Sequence, residues 1–187
     1  MQDCSGDAAR LLQLKASNSF GLLSYAGALM PCSIGPAGVN ALKREGDGAT
    51  PLGVWPLRQV FYRPDKIRRP RTCFPVEPLK PTDGWCDNAG DRNYNRMVEM
   101  PYSVSAEALW RDDDVYDVIV VLGFNDVPRV RGAGSAIFLH IARDRWQPTA
   151  GCLALRLSDL LRLVEAPRPP RWVDTRPTHY RTRRGFM

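Results

Sequence analysis

The chain has 187 residues and a mass of 21.0 kDa, room for one full-sized domain but not for two comfortable ones. Hydrophobic residues at 44% and charged residues at 25% exclude wholesale disorder, and the absence of an apolar run of about 18 residues excludes a membrane-spanning helix. The net charge of +6 is mostly terminal: residues 166–187 carry six Arg and one Asp, so the body is nearly neutral. A basic tail over residues 176–187 is expected to fray or to adhere to an anionic surface such as nucleic acid, phospholipid or an anionic cell-wall polymer. A second basic cluster, Arg63, Lys66, Arg68, Arg69 and Arg71, reads as a solvated loop, and no nucleic-acid motif accompanies it. The opening Met1 to Asp7 has neither a basic nor an apolar segment, so no secretory signal is read there.

In chain order, short strands are predicted at Leu11 to Lys15, Leu22 to Tyr25, Leu29 to Ile34 and Gly53 to Val60, with a polar Gly/Asp loop from Lys43 to Pro51 between the last two. From Arg63 to about Tyr94 proline and glycine dominate, which predicts a long lid-like surface excursion holding Trp85 and Tyr94. Ser105 to Trp110 reads as one or two helical turns, and Asp112 to Asp114 as a solvated turn rather than a metal site. Tyr116 to Phe124 is the strongest strand. In Ser135 to Ile141 the two-residue alternation puts His140 on one face with Phe138 and Ala136. Ser158 is a candidate N-cap for a helix over Asp159 to Glu165 that Pro167 stops. Trp172-Val173 reads as an edge strand. The whole reads as a single mainly β domain, a sandwich with a core over about residues 10–175.

Five cysteines, Cys4, Cys32, Cys73, Cys86 and Cys152, show neither a CxxC pair nor a Cys/His cluster at metal spacing, so no metal is expected. There are only two histidines. His179 sits in the tail, while His140 ends an apolar strand shortly before Gly151-Cys152. A free thiol with a pKa of about 8.5 is roughly 3% ionised at pH 7, and an imidazolium within reach is one way to raise that fraction. Cys152 with His140 therefore reads as an acyl-transfer nucleophile and its general base, with the backbone N–H groups of Gly151 and Cys152 as oxyanion donors. Taken by itself, the same spacing more often marks a hydrogen-bonded core histidine and a cysteine serving as a small hydrophobe.

Gly134 to His140, followed by Pro148-Thr149-Ala150-Gly151-Cys152-Leu153, resembles the active-site signature of the L,D-transpeptidases (the YkuD-type family). Glu45 to Gly53 is similar to their Gly-rich Thr-Pro-x-Gly turn, and Gly84-Trp85-Cys86-Asp87 with Tyr94-Asn95 resembles a short subgroup of them. The likeness spans roughly residues 20–165. Three features depart from the wider pattern: Ala150 stands where a histidine is usual, Ala154 where an arginine is usual (Arg156 is close by), and only residues 141–151 separate the histidine from the cysteine.

The resemblance implies a cysteine acyltransferase acting on peptidoglycan stem peptides in the cell envelope or periplasm, without a cofactor. It implies that Cys152 attacks the L-centre carbonyl before the terminal D-alanine, with transfer to an amine or to water. Trp85, Tyr94 and Thr149 are candidate substrate contacts, although Trp85 and Tyr94 read more simply as pins that hold the long loop onto the sheet. Two other functions fit the residues: a Cys/His amidase on another peptide, and a non-catalytic module that docks on the cell wall through its basic tail.

Overall fold

The computed structural model describes residues 11–177. The expectations placed on Cys4, His179 and the tail from Thr178 onward fall outside the described residues. Three strands open the fold as an antiparallel meander, β1 (Leu11–Ser17), β2 (Phe20–Tyr25) and β3 (Ala28–Ser33). Alternation decides their faces: Leu12, Leu14, Leu23 and Met30 are buried, while their neighbours look outward. A two-residue parallel pair, β4 (Val39–Asn40) with β5 (Thr50–Pro51), brackets the polar Gly/Asp loop. The long β6 (Val54–Tyr62) follows, with β7 (Val76–Pro78) beside its end.

Next come β8 (Asp83–Cys86), β9 (Arg96–Glu99) and β10 (Ala106–Ala108), which form a separate three-stranded antiparallel sheet. This corrects two expectations. The excursion from Arg63 to Tyr94 is not all loop, and the stretch read as helical turns at Ser105 to Trp110 is strand, because Ala106, Glu107 and Ala108 pair with Cys86, Trp85 and Gly84. Cross-strand pairing overrides the helical preference of Ala and Glu there.

The remaining elements are β11 (Val118–Leu122), β12 (Phe138–Ile141), β13 (Leu153–Leu155), α1 (Leu157–Val164) and β14 (Trp172–Asp174). The large sheet runs β11-β12-β13-β3-β2-β1-β14-β6, and β6 pairs again with β11, so eight strands close on themselves while β7 branches from β6. Closure removes the open edges that a free sheet would expose. It also makes β14 an interior strand between β1 and β6, not the edge strand expected from Trp172-Val173. The chain is thus mainly β, in two layers: the closed sheet and the small sheet packed on its outer face.

That layering explains the run Val118-Ile119-Val120-Val121-Leu122, in which every residue is buried. Val118, Val120 and Leu122 point into the closed sheet, against Leu139, Leu153 and the α1 residues Leu160 and Leu163. Ile119 and Val121 point outward into a second apolar cluster with Phe61, Phe138, Tyr116 and Leu109, on which Trp85 and Met97 of the small sheet rest. The helix begins after Arg156 rather than at Ser158 and has no side-chain cap, while Asp159 stands in its first turn. Regular pairing in β12 starts only at Phe138, because Ala136 adopts φ 51° and ends the extended run expected from Ser135. Two of the five clustered cations are structural: Arg63 is buried against Trp110 and bidentate to Asp65, and Lys66 reaches Asp114 and Asp117.

Candidate active site

Strands β12 and β13 are parallel neighbours with His140 opposite Ala154 and Leu139 opposite Leu153. Partners in register share a face and the period is two, so Cys152, one step before β13, faces the same way as Ala154, His140 and Phe138. Both side chains look outward, toward the small sheet, and both line a cleft of about 440 Å³. The other walls come from the Gly/Asp loop (Lys43, Glu45), from β10 (Glu107) and from the segments carrying Arg111, Tyr116 and Arg143. Thr149 and Ala150 line its rim. The connection between the two parallel strands is short for such a crossover and carries no α-helix; Arg145 and Trp146 turn it at φ 56° and 55°.

The Cys152 thiol is 6% exposed. It donates to the Ala136 carbonyl at 3.0 Å and accepts from the Phe138 N–H at 3.3 Å. His140 donates from Nδ1 to the carbonyl of Ile141 at 2.9 Å, which fixes the tautomer and leaves Nε2 with its lone pair. The edge of Tyr116 packs on the imidazole, with ring centroids 5.3 Å apart at 79°. Burial pushes the Cys152 thiol up to about 12, with the charge of Glu107 adding to the rise, while the Phe138 N–H and Lys43 act against it. Burial likewise pulls His140 down to about 4 against the opposing effect of the Ile141 carbonyl.

The resting pair is therefore a neutral thiol and a neutral imidazole, opposite to the ionised sulfur expected from the sequence. Desolvation outweighs every polar contact that would favour charge. For stability the sign follows directly. His140 in the folded chain lies below its ordinary 6.5, so the unfolded chain takes up the proton first. Stability is then full above about pH 6.5 and falls by roughly 1.4 kcal/mol per unit as the pH drops toward 4. Denaturant titrations across that window measure this slope, and His140→Gln is expected to flatten it.

Gly151 sits at φ +133°, and a Cβ there would come 2.5 Å from the backbone oxygen of Ala49. Tertiary contact demands glycine there, because the Gly/Asp loop presses on the turn that presents the sulfur. Thr50 ties the two together, donating to the Gly151 carbonyl at 2.9 Å and accepting from the Gly35 N–H at 3.1 Å. Gly151→Ala is expected to cost about 3 kcal/mol, seen as a melting temperature lowered by roughly 5–10 °C.

Of the two expected oxyanion donors, the Gly151 N–H is committed to the Thr149 hydroxyl at 3.1 Å, and that hydroxyl donates to the Cys152 carbonyl at 2.7 Å. The Cys152 N–H has no such partner among the described residues. Thr149 thus shapes the turn as well as the rim.

Trp85 and Tyr94 do not line the cleft. Trp85 stacks edge-on against Phe138 at 5.2 Å and donates to Asn95, and Asn95 also accepts from the Ala136 N–H. Tyr94 is buried, donating to Glu45 at 2.5 Å and accepting from the Gly134 N–H at 2.9 Å. Both fasten the small sheet and the Gly/Asp loop behind the cleft wall. Arg156, noted as a stand-in for the usual arginine, lies over Trp146 outside the cleft.

Lys43, Glu107, Arg111, Tyr116 and Arg143 also line the cleft, and no motif in the sequence marks them. Lys43 Nζ is held by Asp47 at 2.6 Å, and Asp113 receives both Arg111 at 2.8 Å and Arg143 at 3.3 Å.

A family model described as the L,D-transpeptidase catalytic domain (YkuD) matches residues 22–174. No curated protein and no solved structure matches the chain.

Proposed function

The chain belongs to the L,D-transpeptidase catalytic domain family, and from that premise we propose that it is a cysteine acyltransferase cutting the bond between an L-centre residue and the terminal D-alanine of a peptidoglycan tetrapeptide stem. The family acts on peptidoglycan peptides, and its members are usually cell-envelope enzymes. No helix among the described residues is long and apolar enough to cross a membrane. We place the substrate, and with it the protein's working site, in the envelope. The observation that carries the reading is the shared face: Cys152 and His140 line one cleft from adjacent strands, and the Nδ1 contact of His140 leaves Nε2 its lone pair.

The steps follow from the groups present. The thiol proton leaves the Ala136 carbonyl for His140 Nε2 as the sulfur attacks the stem carbonyl. Because both groups are neutral at rest, the proton moves with the attack rather than before it. The Cys152 N–H receives the oxyanion. The carbon–nitrogen bond breaks, His140 returns the proton to the departing D-alanine amine, and a thioester remains. An amine from a second stem then attacks, passing its proton through His140 to the released thiolate, and a cross-link forms. Water in place of the amine gives a carboxypeptidase.

The thioester conserves acyl activation, so the sequence of steps calls on no cofactor. Ala150, where a histidine is usual in the family, lines the cleft with a methyl group in place of a second imidazole.

Incubation with purified tetrapeptide muropeptides and mass spectrometry of the products tests the reading. Released D-alanine with a new cross-link, or with the tripeptide alone, is expected. Intact tetrapeptide together with cleavage of a different peptide bond would make the protein a Cys/His amidase. Retention on isolated cell wall without any product would make it a binding module.

A further inference from the structure

Asn95 directly precedes β9 and is 5% exposed, yet it does not line the cleft. Its side-chain amide uses its full hydrogen-bonding capacity. Nδ2 donates to the Phe124 carbonyl at 3.0 Å and to the Asn125 carbonyl at 2.8 Å. Oδ1 accepts from the Trp85 indole at 2.9 Å and from the Ala136 N–H at 3.1 Å. Two carbonyls on one side and two N–H groups on the other fix which end of the amide faces which. The backbone is tied as well, its N–H donating to the Cys86 carbonyl at 2.8 Å. Asn95 therefore joins the small sheet to the segment leaving β11 and to the segment entering β12.

The last of these bonds matters because of where Ala136 stands. Its φ of 51° lies in the left-handed region, which is uphill for a residue with a Cβ. Its N–H has no other partner among the described residues. Its carbonyl accepts from the Cys152 thiol at 3.0 Å, and Phe138 donates its N–H to the same sulfur at 3.3 Å. Between them the Ile137 carbonyl accepts from the Leu122 N–H at 3.1 Å, which ties the far side of the turn to β11. The φ of Ala136 is the rotation between the peptide that Asn95 grips and the peptide that holds the thiol. Released from Asn95, that rotation relaxes toward negative values and carries the carbonyl off the sulfur.

We propose that Asn95 is a positioning residue for Cys152: it clamps Ala136 in its left-handed turn, so that the Ala136 carbonyl and the Phe138 N–H cradle the sulfur at the cleft wall. The consequence for turnover rests on the acyl-transfer reading above. The cradle holds the sulfur in one orientation as the stem carbonyl arrives, and misplacing a reacting atom by about 1 Å costs on the order of 100-fold.

Asn95→Ala tests this in D-alanine release from a tetrapeptide stem. The kcat is expected to fall about 100-fold while KM stays within about threefold, because Asn95 lies outside the cleft. Ala136→Gly supplies the rescue, since glycine takes this φ without strain and has less need of a clamp. In that background Asn95→Ala is expected to cost only about 10-fold, the difference being what alanine loses in the left-handed region. An equal loss in both backgrounds, or a kcat kept by Asn95→Ala, overturns the clamp. Should Asn95→Ala fail to fold, Asn95→Ser replaces it with the same expectations, its hydroxyl stopping short of the Oδ1 position.

Alkylation by iodoacetamide at about pH 8, followed by peptide mass spectrometry, reads the sulfur without any substrate. Asn95→Ala is expected to speed alkylation of Cys152 by about 10-fold as the sulfur leaves its buried cradle, the effect of one unit in the thiol pKa. Cys32, fully buried in the closed sheet, is expected to stay unchanged. Equal acceleration at both cysteines means general loosening and overturns the clamp, as does no acceleration at all. Selective acceleration at Cys152 in a protein that turns over no stem peptide would sink the acyl-transfer reading and leave the clamp in place.

Discussion

Cys152→Ala is expected to lower D-alanine release from a tetrapeptide stem by roughly 1,000-fold or more, about 4 kcal/mol of transition-state stabilisation. No other thiol can substitute among the described residues. Cys32 is fully buried in the closed sheet and bonded to the Ser33 carbonyl, Cys86 is buried in the small sheet, and Cys73 lies by Arg171. None of the three lines the cleft. The fold loses little, because the sulfur contributes its bonds to Ala136 and Phe138 and one small member of the outer apolar cluster. A stability change of about 1 kcal/mol is expected, measured by urea denaturation. Activity lost with the fold kept separates a nucleophile from a core cysteine. Activity retained would make the thiol a packing residue.

His140→Gln is expected to reduce kcat/KM by roughly 100- to 10,000-fold, the range in which a positioned base contributes. The amide can still donate to the Ile141 carbonyl, so the ring's anchoring role survives while the lone pair of Nε2 does not. The pH profile carries the same argument. With the imidazole held down to about 4, the base is present across the neutral range, and the acid limb of kcat/KM for the wild type is expected near pH 4 rather than near 6.5. A limb near 6.5 would mean that His140 is solvated in the working enzyme. Stopped assays from pH 3.5 to 8 on a stem peptide read it directly.

The parts of this site that were legible in the sequence are those governed by period and register. The apolar run at Val118 announced a strand buried on both faces, and alternation through Phe138 placed His140 outward. The glycine before Cys152 marked a turn, although the reason for it, the Ala49 carbonyl, belongs to tertiary contact and has no local trace. The small sheet is hidden in the sequence because its strands are short and proline-flanked; Trp85 and Met97 show their purpose only when packed over Phe138 and Cys152, and Glu107 only where it lines the cleft. Trp85 and Tyr94 looked like groove aromatics; their polar atoms reveal fasteners.

The sequence leads one to expect an ionised Cys152, whereas burial in the fold favours the neutral thiol. Spacing shows that an imidazole is near; it does not show that both groups are dry, and desolvation decides the balance. That reversal makes the mechanism one of concerted proton transfer rather than of a standing ion pair.

The most direct measurement is the intact mass of the protein after brief mixing with a tetrapeptide stem and acid quench. An adduct of the stem less D-alanine, mapping by peptide sequencing to Cys152 and absent in Cys152→Ala, is the expected result. A stem cleaved at the expected bond with no adduct on any cysteine, or with the adduct on Cys73 or Cys86, would contradict it.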